Sequence, residues 1–329
     1  MSRRLTIVCT MMFFAFIFTV SGCSSVSSPT LLSHTNPAHF QKTRPFIGSW
    51  TTKAPMPTAR RFLAAGVVDG IVYAVGGAQG GNDSNVFEAY DHKSDTWTTK
   101  ASMPTPRENL GVGVIHGILY AVGGNENGHG ALNTVEAYDA TTDSWSTRAP
   151  MLTAQNALAV GVIDGILYAV GGDDANGHLY NNVEAYDPAT NTWAARAPMP
   201  TARTALAAGV VDGILFAVGG QNGGGALNTV EAYCPTKNKW MTEPSMPTAR
   251  TFLAVGIIND RLFAVGGGNN GGYLGTLEAF DSATKTWTEK PPMPTGRLGL
   301  AGGVVGRTLY AIGGLNPSDL NTVEAFTSR

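Results

Sequence analysis

The sequence predicts an all-β protein assembled from six copies of one unit, and three observations support that expectation. Diglycines begin at Gly76, Gly123, Gly171, Gly219, Gly266 and Gly313. Trp50, Trp97, Trp145, Trp193, Trp240 and Trp287 recur with the same period. The chain holds 41 glycines and only 14% charged residues, a balance that suits strands and tight turns better than helices, which glycine destabilises. A fixed period of this length marks a unit that buries its apolar surface only against its neighbours.

The elements of one unit follow in order. An approach segment of the type "PMPTAR" leads into a first run such as "LAAGVV", whose small residues suit the place where space is tightest. Asp69-Gly70, His116-Gly117, Asp164-Gly165 and Asp212-Gly213 then mark a two-residue hairpin turn, because glycine readily takes the positive φ such a turn needs. A second run such as "ILFAVGG" ends at the diglycine, and a third, "NTVEAY", and a fourth, "KWMTE", complete four strands. No segment of the repeat has helical periodicity.

A diglycine, then Tyr or Phe, then Trp seven residues on, as in Gly171-Gly172, Tyr186 and Trp193, resembles the kelch repeat. The resemblance covers residues 48 to 329 and recurs six times. It implies a six-bladed β-propeller over residues 47–329, with one four-stranded sheet per blade around a central channel. The chain ends support closure of that ring. The last repeat stops at Phe326 short of its own Trp, while Trp50 opens the domain with no diglycine before it. "GSWTTK" is therefore expected to be the outermost strand of the last blade, which removes open sheet edges.

Arg3 and Arg4 precede an apolar run from Leu5 to Val20 that ends in Val20-Ser21-Gly22-Cys23. This is the layout of a secretory signal peptide over residues 1–22. The run is short for a membrane span, and the final four residues resemble the lipobox of bacterial lipoproteins. That resemblance implies lipidation of Cys23 as the new first residue and, with Ser24 in place of Asp, sorting to the outer membrane. Residues 23–46 are rich in Ser, Thr and Pro without apolar periodicity and read as a flexible tether. The expected location is the bacterial cell envelope, with a membrane contact through the lipid alone. Cys234 stands in "YCPTKNKW" where other repeats have Asp, a change read as drift at a turn position in place of a reactive thiol.

Twenty-two basic against 24 acidic residues give a net charge of −2, which excludes nucleic acid as a partner class on electrostatic grounds. Glu88, Glu136, Glu184, Glu231, Glu278 and Glu324 occur in every repeat and read as structural. Arg60, Arg107, Arg203, Arg250 and Arg297, with Gln155 in the third repeat, enter the first strands. Two readings are open for them. Gathered at a channel mouth, they form a site for carboxylates, since the guanidinium fork offers bidentate bonds; alternatively, each braces its own loop or pairs with a repeated Glu. In animal kelch adaptors, similar loop arginines bind acidic peptide motifs.

The segments after the diglycines diverge most, and loops on a rigid scaffold are where binding residues usually sit. The second and third repeats stand apart through Glu108, Asn109, Glu126 and His129, and through Asn156, Asp173, Asp174, His178 and Tyr180. Phe62, Phe252 and Tyr273 mark the opposite arc. The expected ligand site is the channel mouth with Arg60, Arg107, Gln155, Arg203, Arg250, Arg297, His129, His178, Tyr180 and Tyr273.

Catalytic signatures are sparse. Gly266–Gly271 fits G-x-G-x-x-G, but a strand and not a helix follows. Asp173, Asp174, Asn176 and His178 offer oxygen ligands without the spacing of a known calcium loop. Among kelch enzymes, the copper site of galactose oxidase needs a Cys that Cys234, between outer strands, cannot supply. The periplasmic sialic acid epimerase shares the architecture and compartment. The expectation is a monomeric binding module for a protein, peptide or glycan, without cofactor or metal; a carbohydrate epimerase or mutarotase is the alternative.

Overall fold

The computed structural model describes residues 48–328. The expected signal peptide over 1–22, the expected lipidation at Cys23 and the expected 23–46 tether lie outside the described residues. Every regular element in the described chain is a strand, and six four-stranded antiparallel sheets follow one another as a six-bladed propeller. Blade 1 runs from the axis outward as Ala64–Val68, Ile71–Val75, Phe87–Asp91 and Thr96–Thr99.

The innermost strands of the other blades are Gly111–Ile115, Ala159–Ile163, Ala207–Val211, Ala254–Ile258 and Ala301–Val305. They are built from small residues because neighbouring blades converge on them. A Cβ on Gly113 would stand 2.9 Å from side-chain carbons of both Leu167 and Val162 in blade 3. The second strands lie under sheets on both faces, which is why "ILYAV" is apolar almost throughout and its last four residues are buried. Asp69 and Gly70 both have positive φ, as the predicted hairpin turn requires.

Packing is between blades. Val75 and Phe87 of blade 1 meet Met103, Leu110, Leu119 and Tyr138 of the second repeat in one apolar cluster, and equivalent clusters follow around the ring. The methionine of each approach segment, Met56, Met103, Met151, Met199, Met246 or Met293, is at most 3% exposed. Its unbranched side chain fills the wedge between consecutive sheets. Further out, the indole N–H of Trp97, Trp145, Trp193 and Trp240 donates to the carbonyl of Ala54, Ala101, Ala149 and Ala197 in the preceding repeat, at 2.8–3.0 Å. Cys234 ends the third strand of blade 4, buried, with its sulfur 3.3 Å from Thr236 Oγ1.

Ring closure is as the sequence predicts. Gly48–Lys53 pairs antiparallel with Val323–Ser328, Trp50 opposite Phe326, so the last blade takes three strands from the end of the chain and one from near its beginning. Trp50 donates its indole N–H to Pro291 O at 2.8 Å, repeating the inter-blade clasp at the closure seam, and its ring packs on Phe326 with centroids 5.5 Å apart. Trp50→Ala removes that clasp together with a large, partly buried aromatic. A loss of about 2–3 kcal/mol is expected, read as a drop in melting temperature of about 4 °C or more. An unchanged melting temperature would refute the clasp.

Candidate functional site

The end of the propeller that carries the diglycines and the variable loops is organised in concentric rings. At its centre stand Phe62, Asn109, Ala157, Ala205, Phe252 and Gly299, one from each blade, all with φ between 50° and 62°. The left-handed conformation turns each peptide so that its N–H reaches the preceding blade. Asn109 N–H donates to Phe62 O, Ala157 to Asn109, Ala205 to Ala157, Phe252 to Ala205, Gly299 to Phe252 and Phe62 to Gly299, at 2.7–3.0 Å. Six backbone bonds thus close on themselves around the axis. Above Gly299, where a Cβ would lie 2.6 Å from the Phe62 ring, Phe62 meets Phe252 with centroids 4.9 Å apart. The two rings leave only a shallow pit of about 100 Å³.

The second ring is Arg61, Glu108, Asn156, Thr204, Thr251 and Leu298. Each exchanges two backbone hydrogen bonds with the residue that follows its own blade's diglycine, as Glu108 does with Asn125 and Asn156 with Asp173. These are the residues that sequence reasoning underused. Arg61 was hidden beside the recurrent Arg60, and the available signal was that this position carries five different residue types in six blades.

The expected arginine mouth is corrected here. Arg60, Arg107, Arg203, Arg250 and Arg297 are 0% exposed and do not line the opening. Each forms an ion pair with the Glu of its own blade, Arg60 with Glu88, Arg107 with Glu136, Arg203 with Glu231, Arg250 with Glu278 and Arg297 with Glu324, at 2.5–3.2 Å. Terminal guanidinium nitrogens also reach backbone carbonyls, as Arg60 does to Gly76 and Val86. The cause lies in the extended approach segment, where adjacent side chains point to opposite sides. Arg60 turns inward and Arg61 outward. Burial pulls the Arg107, Arg250 and Arg297 guanidinium groups down to about 10, against the opposing pull of their carboxylates, and they remain charged at neutral pH. Gln155 is likewise 0% exposed and stays beneath the surface.

The outward groups are mainly acidic. Arg61 binds Asp319 of the last blade at 2.7 Å, and Asp319 also accepts the Gly80 N–H at 2.7 Å. Asp83 accepts the Asn127 N–H, tying the loops of blades 1 and 2. Glu108 lies between these carboxylates. Burial pushes its carboxyl up, Asp83 and Asp319 add to the shift, and Arg61 opposes it. Asp173 is consumed by Asn156, Ala175 and Thr204 at 2.6–2.9 Å, and Asp174 by the amides of Asn176 and His178, which hold it below the usual carboxylate range.

Between the loops of blades 2 and 3 lies the larger cavity, a cleft of about 530 Å³. Glu126, Asn127 and His129 form one wall, Asp174, Asn176 and Tyr180 the other. Two expected site residues, His129 and Tyr180, therefore meet there. His129 Nδ1 stands 3.5 Å from Glu126. His178 packs edge-on against Tyr180 at 5.1 Å without lining the cleft. Tyr273 is exposed on the Gly272–Tyr273 hairpin strand of blade 5 and lines neither cavity.

Two family models match the chain. One, described as the KLHDC2/KLHL20/DRC7 Kelch-repeats domain, covers residues 147–314; the other, the Kelch motif, covers 59–104 and 106–152. No curated protein matches. A solved structure described as "Structure of YjhT" is 17% identical with a TM-score of 0.70, over 83% of this chain and 94% of that one. At this identity the likeness is one of fold.

Two outcomes test the roles assigned to buried and outward groups. Arg203→Ala leaves Glu231 buried and unpaired, so urea denaturation should show a loss of about 3–5 kcal/mol; an exposed anion-binding arginine would cost far less. Glu108 has a raised carboxyl in the folded state, so its proton binds more tightly there than in the unfolded chain, and stability is lost as pH rises through the folded value. Glu108→Gln should therefore melt above wild type at pH 7, with the difference gone below the ordinary carboxylate range near about 4. Parallel melting curves across pH would contradict the assignment.

Proposed function

Since this chain belongs to the kelch-repeat family of β-propellers, we propose that it is a binding module whose ligand, a glycan, peptide or protein surface, docks on the variable loop face. The observation that carries this reading is the division of labour within each repeat. Residues shared by the blades are consumed in packing and ion pairs, whereas the outward positions Arg61, Glu108, Asn156, Thr204, Thr251 and Leu298 differ in every blade but two. Variation confined to one face of a rigid scaffold is the pattern of a recognition surface.

The chemistry of that face narrows the ligand. Asp83, Glu108, Glu126, Asp174 and Asp319 outnumber Arg61 around the mouth, so hydroxyl, amide and ammonium groups suit it better than carboxylates. The cleft of about 530 Å³ falls within the range of small-ligand sites. Tyr180 offers an apolar face and Asn127, Asn176, Glu126 and His129 offer polar atoms. That composition suits a sugar unit or a short polar side chain. The module acts as a monomer held in the bacterial envelope, facing periplasm or exterior, by acyl chains on Cys23.

A second reading uses the same face. The half-buried Glu108, its carboxyl raised by burial, has the character of a general acid, and with Arg61 it stands outside the repeat, which favours epimerisation or mutarotation of a sugar.

A panel of immobilised glycans and peptides probed with the protein, followed by Tyr180→Ala and His129→Ala, separates these possibilities. Binding that falls about tenfold in Tyr180→Ala at unchanged melting temperature, equivalent to about 1.4 kcal/mol, supports the module. Binding indifferent to both substitutions overturns the site. Faster anomer or epimer exchange of a reducing sugar in proton NMR, abolished in Glu108→Gln, establishes the enzyme instead.

A further inference from the structure

One blade of the six lacks the buried arginine, and the slot it leaves is equipped for a different cation. Gln155 has the backbone bonds of its counterparts. Its N–H donates to Leu132 O at 3.0 Å and its carbonyl accepts the Gly124 N–H at 2.9 Å, as Arg107 bonds Ser84 at 3.2 Å and Gly77 at 2.9 Å. Its side chain is 0% exposed, so it enters the same interior. A glutamine is shorter than an arginine and does not reach the blade's Glu, and both of its amide atoms, Oε1 and Nε2, are buried without a hydrogen-bond partner.

Blade 3 nevertheless keeps the rest of the apparatus. Glu184 is 2% exposed. The carbonyls of Gly171, Asn182 and Ala169 correspond to those that accept from guanidinium groups elsewhere, such as Gly76 and Val86 in blade 1 and Ala121 and Thr134 in blade 2. One compensation is visible. Leu152 stands where every other repeat has proline, and its freed N–H donates to Glu184 at 2.8 Å. That amide is neutral, however, and an interior carboxylate without a counter-charge is strongly disfavoured.

We propose that this slot binds a monovalent cation, held by the Glu184 carboxylate, Gln155 Oε1 and the carbonyl oxygens of Gly171, Asn182 and Ala169. Oxygen-only donors select a hard ion over zinc or copper, and a single carboxylate balances one positive charge. The ion takes over the role of the guanidinium, holding the approach segment to the blade. The same segment carries Ala154, which lines the cleft between blades 2 and 3, and the exposed Leu152. The site therefore lies under the wall of the proposed binding surface but does not depend on that surface's ligand.

Melting temperatures in potassium, sodium and tetramethylammonium chloride at equal ionic strength test the proposal. The protein should melt about 2 °C higher in the small ion it binds than in tetramethylammonium. Gln155→Arg, which fills the slot with a covalent cation, should abolish that difference. Equal melting in all three salts, or a difference that persists in Gln155→Arg, overturns the site. Crystals of the wild-type protein soaked in thallium(I) give a readout independent of the variant's folding: an anomalous peak bonded to Glu184 is expected, and water alone in the slot refutes the proposal.

Discussion

The arginine that precedes the first strand in five of the six blades is the hinge on which the propeller depends, because it works in two directions at once. Its guanidinium pairs with the Glu of the third strand and reaches one carbonyl just after the second strand and one just before the third, joining two strands of its own blade inside the protein. Its backbone carbonyl accepts the N–H of the preceding blade's second glycine, as Arg107 O does from Gly77 at 2.9 Å. The diglycine follows from this contact. A Cβ on Gly76 would stand 2.7 Å from Arg107 O, and both glycines have positive φ, so no other residue fits without strain. Arg, Glu and Gly-Gly recur together because they are parts of one junction.

That junction also explains why the closed ring can present an irregular face. The six backbone bonds linking Phe62, Asn109, Ala157, Ala205, Phe252 and Gly299 use no side-chain atoms. Side chains at those positions and in the next ring are consequently free to range from glycine to phenylalanine and from Arg61 to Glu108. Burial and pairing consume the charge that repeats, and the charge that remains outside is what varies. The acidic balance of the mouth results directly from this sorting, since five arginines vanish from the surface and five or more carboxylates on the loops do not.

Most of the architecture was legible in the sequence because it is written six times. The period of the diglycines and tryptophans gave the blade number, the Asp-Gly turns gave the inner hairpins, and the displaced Trp50 gave the closing strand. The site was less legible, for a geometric reason. In an extended step such as Arg60-Arg61, adjacent side chains face opposite ways, and residue type does not say which faces inward. Two patterns held the answer. The arginine recurs in step with a glutamate about 28 residues later, as expected of a buried pair. Position 155 departs from arginine in the one repeat where position 152 departs from proline, as expected of two residues serving one carboxylate. The cleft between blades 2 and 3 was beyond sequence reasoning, because its volume depends on how two loops splay apart.

Blade 3 shows how such a scaffold acquires individuality. Its loss of arginine removes a strong internal clamp, and Leu152 restores only part of it, beside the seam where the cleft opens. Asp173 and Thr204 rebuild a bond across the next seam through a side-chain contact of 2.6 Å, which ties blade 3 to blade 4 at the mouth. The blade thus lacks an internal clamp, keeps its backbone bonds to blade 2 through Gln155, and gains a side-chain bond to blade 4. The departures from the repeat cluster where the ring has been relieved of a constraint and has received a local substitute, and the cleft between the loops of blades 2 and 3 lies beside them.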